Sequence, residues 1–218
     1  MSIRLAIFDF DGTLADTRRT IVCTQQQTLS ELGKPVPDEQ TCAATIGLTL
    51  TNCFRTLCPE LSDDELKQCA DIYHRRFDEN KRLIPPTLFD GVRETLHRLK
   101  EQGIAIAIAT SRNSRSLHEL LEELGISEYV AYTVGGDDVT RPKPDAQPVE
   151  MILSAMGIAA EEAIVVGDMP VDIMMGVGAG VRTCGVSYGN ATRKELEDAG
   201  ADNVIDSIKE LTQVIHSA

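Results

Sequence analysis

From Gly91 to the end of the chain, short runs that are apolar at nearly every position alternate with stretches of helical periodicity. A strand with no polar face has to be covered on both sides, and helices between such strands make the crossovers that a parallel sheet requires. Strands are predicted over 104–109, near 130–134, and over 163–166, 182–186 and 203–205. Helices are predicted over 92–101, about 114–124 and about 146–156, stopped by Gly103, Gly125 and Gly157. A further apolar run, residues 3–8, opens the chain and runs into Asp9. The pattern predicts an α/β fold, a doubly wound parallel sheet.

Between Ala15 and about Pro85-Pro86 the rhythm changes to helical spacing and polar loops. Ser62 with Glu65 forms a capping box, and Leu66, Tyr73 and Phe77 follow at helical intervals. The expected organisation is an α/β core of residues 1–15 and 88–218, with a small all-helical domain of residues 16–87 inserted. A length of 218 residues suits one full core plus a smaller appended domain. On the inserted helix, Arg75, Arg76, Lys81 and Arg82 read as a solvated face. Met151, Met156, Met174 and Met175 read as core filler. None of His74, His97, His118 and His216 is assigned a role.

The net charge of −13 argues against a nucleic-acid partner, because a polyanion needs a basic face. Residues 15–87 hold nine Lys/Arg and eleven Asp/Glu, a net of −2; the remaining twelve and twenty-three leave −11. The acidic excess therefore lies in the expected core, where it could hold a cation. No run approaches the length of a bilayer span, and no basic-then-apolar leader opens the chain, so a cytoplasmic protein without membrane contact is expected. Six cysteines show no Cys-x-x-Cys pair and no histidine close to two of them, which reads as free buried thiols rather than a zinc site.

Polar residues gather where the predicted strands end, which is where open α/β sheets bind ligands. Asp9 and Asp11 follow the first strand, and Thr110 and Ser111 follow the strand at 104–109. Lys143 lies between two prolines after the 130–134 strand, and Asp168 with Asp172 follows the strand at 163–166. Converging carboxylates raise one another's proton affinity, and a hard divalent cation relieves the repulsion. Oxygen donors suit Mg²⁺, and Mg²⁺ beside a lysine and hydroxyls suits a phosphoryl group. One carboxylate is then left as nucleophile and another as proton carrier. Arg112 and Asn113 could touch a phosphate or cap the next helix, Asn113 being the better cap.

Asp9-Phe10-Asp11-Gly12-Thr13-Leu14 resembles the first motif of the haloacid dehalogenase-like (HAD) superfamily of hydrolases. Thr110 resembles its second motif, Lys143 its third, and Gly167-Asp168 with Asp172 its acidic fourth. The resemblance covers essentially the whole chain. It implies that Asp9 attacks phosphorus to form an aspartyl-phosphate, and that Asp11 protonates the leaving oxygen and then activates water. It further implies that Thr110 and the Ser111 N–H bind phosphoryl oxygens and that Lys143 neutralises the nucleophile. Mg²⁺ would be held by Asp9, the Asp11 carbonyl and Asp168, with Asp172 orienting its water shell.

Family dehalogenases lack an acid at the position of Asp11, so the resemblance implies a phosphatase. The inserted helices resemble the cap of subfamily I, and Gly185-Val186-Ser187-Tyr188-Gly189 with Gly200-Ala201-Asp202 resembles the phosphoglycolate phosphatase-like branch. Met169-Pro170 departs from the small polar residue common after the fourth Gly-Asp. The expected substrate is a small phosphate monoester such as phosphoglycolate, and the expected assembly is a monomer or homodimer. The alternatives are a phosphomutase of the β-phosphoglucomutase type, an inorganic pyrophosphatase and a non-catalytic binding domain. A mutase would carry an arginine soon after Gly47, where none precedes Arg55; a phosphonate-cleaving enzyme would carry a lysine near Gly47, and none of Lys34, Lys67 and Lys81 is there.

Overall fold

The computed structural model describes residues 2–216. Its strands are β1 (Leu5–Phe8), β2 (Ala15–Asp16), β3 (Thr87–Leu88), β4 (Ala105–Ala109), β5 (Tyr132–Val134), β6 (Ala163–Gly167), β7 (Arg182–Val186) and β8 (Asn203–Ile205). Six of them form one sheet in the order β5-β4-β1-β6-β7-β8, every pair parallel. Met1, Ser217 and Ala218, which the expected core boundaries include, lie outside the described residues.

Alternation along the strands assigns side chains to the two sheet faces. Ala6 and Phe8 of β1 join Ile106, Ile108, Ile164 and Val166 in one apolar cluster. Leu5 and Ile7 join Ala107, Ala109, Ala163 and Val165 in another. The first face is covered by α5 (Val92–Glu101), α6 (Ser114–Glu123) and α10 (Leu211–His216), through side chains such as Leu96, Leu117 and Leu211. The second is covered by α7 (Gln147–Met156) and α8 (Pro170–Gly178), through Val149, Ile152 and Met175. Each such aliphatic side chain contributes about 1.5–3 kcal/mol by leaving water. This is the doubly wound sheet that runs apolar on both faces predict. The exception is Met174, expected in the core, which is 48% exposed on α8.

Counted along the chain, the sheet's own strands lie in the order 3-2-1-4-5-6, which reverses between β1 and β6. That reversal leaves a crevice at the carboxyl ends, because the two crossovers leave on opposite faces. Asp9 follows β1 and Asp168 follows β6, so both stand at its mouth.

Between β2 and β3 come α1 (Arg18–Glu31), α2 (Glu39–Ala43), α3 (Leu50–Leu57) and α4 (Asp63–Leu83). Leu29, Phe54, Leu66 and Cys69 give this insert a small apolar cluster of its own, while Ile21, Val22 and Phe77 reach into the cluster on the sheet. The capping box forms as the spacing predicts: Ser62 Oγ accepts from the Glu65 N–H at 3.3 Å, and the Ser62 N–H donates to Glu65 Oε2 at 2.9 Å. Two features differ from the sequence reading. The insert is not helical throughout, because β2 and β3 pair antiparallel, Ala15 opposite Leu88 and Asp16 opposite Thr87. Two residues are too few to display a strand's period. Lys81 is not on a solvated face: its side chain is 11% exposed, and its Nζ lies 3.1 Å from Glu119 and 3.0 Å from Glu123, both on α6. Arg75 and Arg76, by contrast, pair at the surface with Glu31 of α1. Among the described residues no helix is long and apolar enough to cross a membrane.

Candidate active site

Four of the expected residues meet at the crevice. Lys143, in the loop between β5 and α7, donates from Nζ to Asp9 Oδ1 at 2.5 Å and to Asp172 Oδ1 at 2.6 Å. All three side chains are at least 96% buried. Asp172 stands in the first turn of α8, where its second oxygen accepts from the Met169 N–H at 3.0 Å and fixes the loop after β6. Asp168 Oδ1 accepts from Thr13 Oγ at 3.0 Å, and its Oδ2 accepts from the backbone and side-chain amides of Asn190 at 2.8 and 2.9 Å. The chain comes this close to Asp168 only because residue 12 is glycine: its φ is +95°, and a Cβ there would stand 2.2 Å from Asp168 Oδ2.

Oxygens of Asp9, Asp168 and Asp172 lie within 4.8 Å of one another. Three carboxylates against one ammonium leave two negative charges when all are ionised. Burial pushes the Asp9 carboxyl well above its ordinary value; Lys143 opposes the rise, and Asp172, Asp168 and Asp11 add to it. Burial, then the charge of Asp172, pushes Asp168 up to about 7, against the hydrogen bonds from Asn190 and Thr13. Burial alone would lower Lys143, but Asp172 and Asp9 outweigh it and hold the ammonium charged. A buried all-oxygen donor set with two uncompensated negative charges fits a hard divalent cation such as Mg²⁺.

Asp11 stands apart from that acid group. Its Oδ1 accepts from Arg112 Nη2 at 2.6 Å and from Thr17 Oγ at 2.7 Å, and its Oδ2 accepts from Arg112 Nε at 3.0 Å. The remaining Arg112 nitrogen donates to Ser116 Oγ at 2.9 Å, and the guanidinium lies 4.6 Å from the ring centre of Phe77 on α4. Arg112 therefore holds Asp11, a role that the alternatives of phosphate contact or helix cap leave out. Its partner comes from the chain's start and its aromatic neighbour from the insert, and nothing local marks either. Asn113 does cap α6, accepting from the Ser116 N–H at 2.8 Å.

Asp9, Asp11, Thr110, Ser111 and Arg112 line a pocket closed on its other side by the insert, with Ile21, Leu50, Tyr73 and Phe77. His74, to which the sequence analysis assigns no role, lines it as well. Ser111 Oγ donates to the Gly47 carbonyl of the insert at 2.6 Å, which leaves its backbone N–H as the group to offer a ligand. The pocket has about 90 Å³ open to water-sized molecules.

A parallel sheet that gathers a lysine-bridged pair of acids and a third buried acid at its switch point defines an enzyme of the Rossmann-like α/β class. The chain belongs to the haloacid dehalogenase-like hydrolase family, whose profile matches residues 6–186. It is 34% identical over 98% of its length to "Probable phosphatase IndB" of Dickeya dadantii, covering 94% of that protein. It is 31% identical to the pyrophosphatase PpaX of Halalkalibacterium halodurans, with 99% of this chain and 98% of that one covered. With the phosphoglycolate phosphatase of Pseudomonas savastanoi pv. phaseolicola it shares 29% identity, over 95% of this chain and 78% of that one. A solved haloacid dehalogenase-like family hydrolase from Streptococcus pneumoniae superposes with a TM-score of 0.85 at 25% identity, covering 97% of this chain and 98% of that one. By family and relatives the chain is a hydrolase of the phosphatase type.

Proposed function

We propose that the protein is a Mg²⁺-dependent phosphatase that hydrolyses a small phosphate monoester through an aspartyl-phosphate on Asp9. The observation that carries this reading is the state of Asp9. Lys143 engages its Oδ1, while no donor among the described residues engages Oδ2, and the residue lines the pocket. Oδ2 attacks phosphorus, and the ester oxygen leaves with a proton from Asp11. Asp11 then takes a proton from the water that cleaves the acyl phosphate. Thr110 and the Ser111 N–H hold phosphoryl oxygens, and the Lys143 ammonium offsets charge on the nucleophile. Asp9, the Asp11 carbonyl and Asp168 would hold Mg²⁺, with Asp172 beside it, and the ion supplies charge compensation to the transferring group.

In this reading residues 16–87 serve as a cap that closes over the substrate and excludes water from the core of residues 1–15 and 88–218. The protein works in the reducing cytoplasm, as a monomer or homodimer, without nucleic-acid or membrane partners; all six cysteines are free. Compact metabolite esters, phosphoglycolate among them, are the first substrates to try. The PpaX relative adds a second reading, cleavage of a phosphoanhydride, which pyrophosphate in the same panel separates.

The test is phosphate release across that panel with Mg²⁺ and with EDTA. Release that needs Mg²⁺ and prefers one ester is expected; silence from folded protein overturns the reading. Asp168→Ala is expected to raise the half-saturating Mg²⁺ concentration at least about tenfold, or to end activity. An unchanged Mg²⁺ titration would remove Asp168 from the metal site.

A further inference from the structure

The apolar stripe that α4 turns inward carries one hydroxyl, on Tyr73. The ring beneath it is held by three others: edge-on to Phe54 at 6.0 Å and to His74 at 6.1 Å between ring centres, and stacked on Phe77 at 6.0 Å. Phe77 is also the ring on which the Arg112 guanidinium rests. A phenol oxygen lies on its ring's long axis, so fixing the ring fixes the oxygen. Yet no described residue hydrogen-bonds it. Tyrosine hydroxyls drawn this far into a fold normally have a partner.

The surroundings say which way the hydroxyl faces. Burial pushes this phenol well above its ordinary value; the charge of Arg112 opposes the rise, and Cys53 and Asp11 add to it. Those three residues all line the pocket, as Tyr73 itself does. Nor is the oxygen sealed in, since the one unpartnered side-chain oxygen or nitrogen closed off from solvent among the described residues is Gln25 Oε1. The hydroxyl therefore opens on the pocket. It keeps its proton and has nothing in the fold to give it to: Asp11, the acid that acts on it, is engaged by Arg112 and Thr17 instead.

We propose that Tyr73 is a specificity residue whose hydroxyl donates a hydrogen bond to an acceptor oxygen on the leaving-group end of the substrate. The inference rests on the phosphatase reading and deepens it. Asp9, Thr110 and the Ser111 N–H take the phosphoryl group on the core side of the pocket, so the part of the molecule that reaches α4 is the remainder.

Tyr73→Phe removes the oxygen and nothing else. Because that oxygen has no partner in the fold, the ligand-free melting temperature is expected to hold; a fall would reveal an internal partner and overturn the proposal. Non-hydrolysable phosphonates then separate the contact from catalysis. Calorimetry with Mg²⁺ present compares propyl-, hydroxypropyl- and carboxyethylphosphonate, whose far ends carry no acceptor, a hydroxyl and a carboxylate. Tyr73→Phe is expected to weaken the hydroxypropyl or the carboxyethyl compound about tenfold and to move the propyl compound less than about twofold. Whichever compound loses more tells a hydroxyl acceptor from a carboxylate. An equal loss for all three would put the hydroxyl on the phosphoryl group, and no loss for any would leave it to solvent; either result overturns the proposal. Phosphate release from the matching esters, hydroxyethyl phosphate and phosphoglycolate, reports on the reaction separately. Acceptor-dependent binding without release from any ester would sink the phosphatase reading and leave the Tyr73 contact standing.

Discussion

Asp9→Asn is expected to lower phosphate release by on the order of 10⁴-fold or more while the melting temperature holds or rises. The amide has the carboxylate's shape and no nucleophilic oxygen, so a covalent route through Asp9 has no detour. Stability should not suffer, because ionised Asp9 is the strained partner in its group: burial and the charges of Asp172, Asp168 and Asp11 all oppose its ionisation. A neutral side chain relieves that repulsion, and Lys143 keeps Asp172 at 2.6 Å. Single-turnover phosphate release beside a thermal melt decides the matter. Turnover within about tenfold of wild type would remove Asp9 as nucleophile, and a collapsed melt would show that its charge serves the fold.

Lys143→Met should damage both stability and rate. The thioether fills much of the same volume, but Asp9 and Asp172 then face each other buried and uncompensated. Removing one partner of a buried ion pair costs about 3–5 kcal/mol. For a chain of this length that is a fall in melting temperature on the order of 10 °C. The loss of one preorganised charge at the reacting group should lower turnover by roughly 10²–10³-fold. The two effects part in the double variant Lys143→Met with Asp172→Asn. It removes one stranded anion, so the melt should recover in part, whereas turnover should not. Recovery of both would make Lys143 a structural lysine only.

The sheet was legible because its strands carry no polar face, so that Leu5–Phe8 and Ala163–Val166 leave little choice but burial on both sides. Asp9 and Asp168 are legible for the same reason, since a polar residue directly after such a strand stands at the ligand edge, whereas Lys143, nine residues beyond β5, is legible through its flanking prolines and the motif it resembles. The insert was read more coarsely. On α1 the buried face includes Thr20, Thr24, Gln25 and Thr28, so the residues that meet the pocket and pack inside look like a solvated stripe. Gln25 sits in the run Gln25-Gln26-Gln27, whose members sequence alone does not tell apart. Lys81 was misread because its acids lie on α6, about forty residues downstream, and hydrophobic periodicity has no access to that contact. The pairing of Arg112 with Asp11 is out of reach of sequence for the same reason: Asp11 precedes it by 101 positions.

The chain departs for the insert and returns from it through β2 and β3, side by side, Ala15 against Leu88 and Asp16 against Thr87. The insert is thus a long loop whose ends are already joined, and its contour length matters little to the sheet: each doubling of such a loop costs only about 0.6 kcal/mol. Closing the ends does not make the two parts independent: the insert keeps an apolar nucleus of its own in Leu29, Phe54 and Leu66, yet Ile21, Val22 and Phe77 belong to the sheet's cluster, and Phe77 stacks on the arginine that holds Asp11. A tilt of the insert on its two-strand stem would therefore be felt at Asp11 through Phe77 and Arg112.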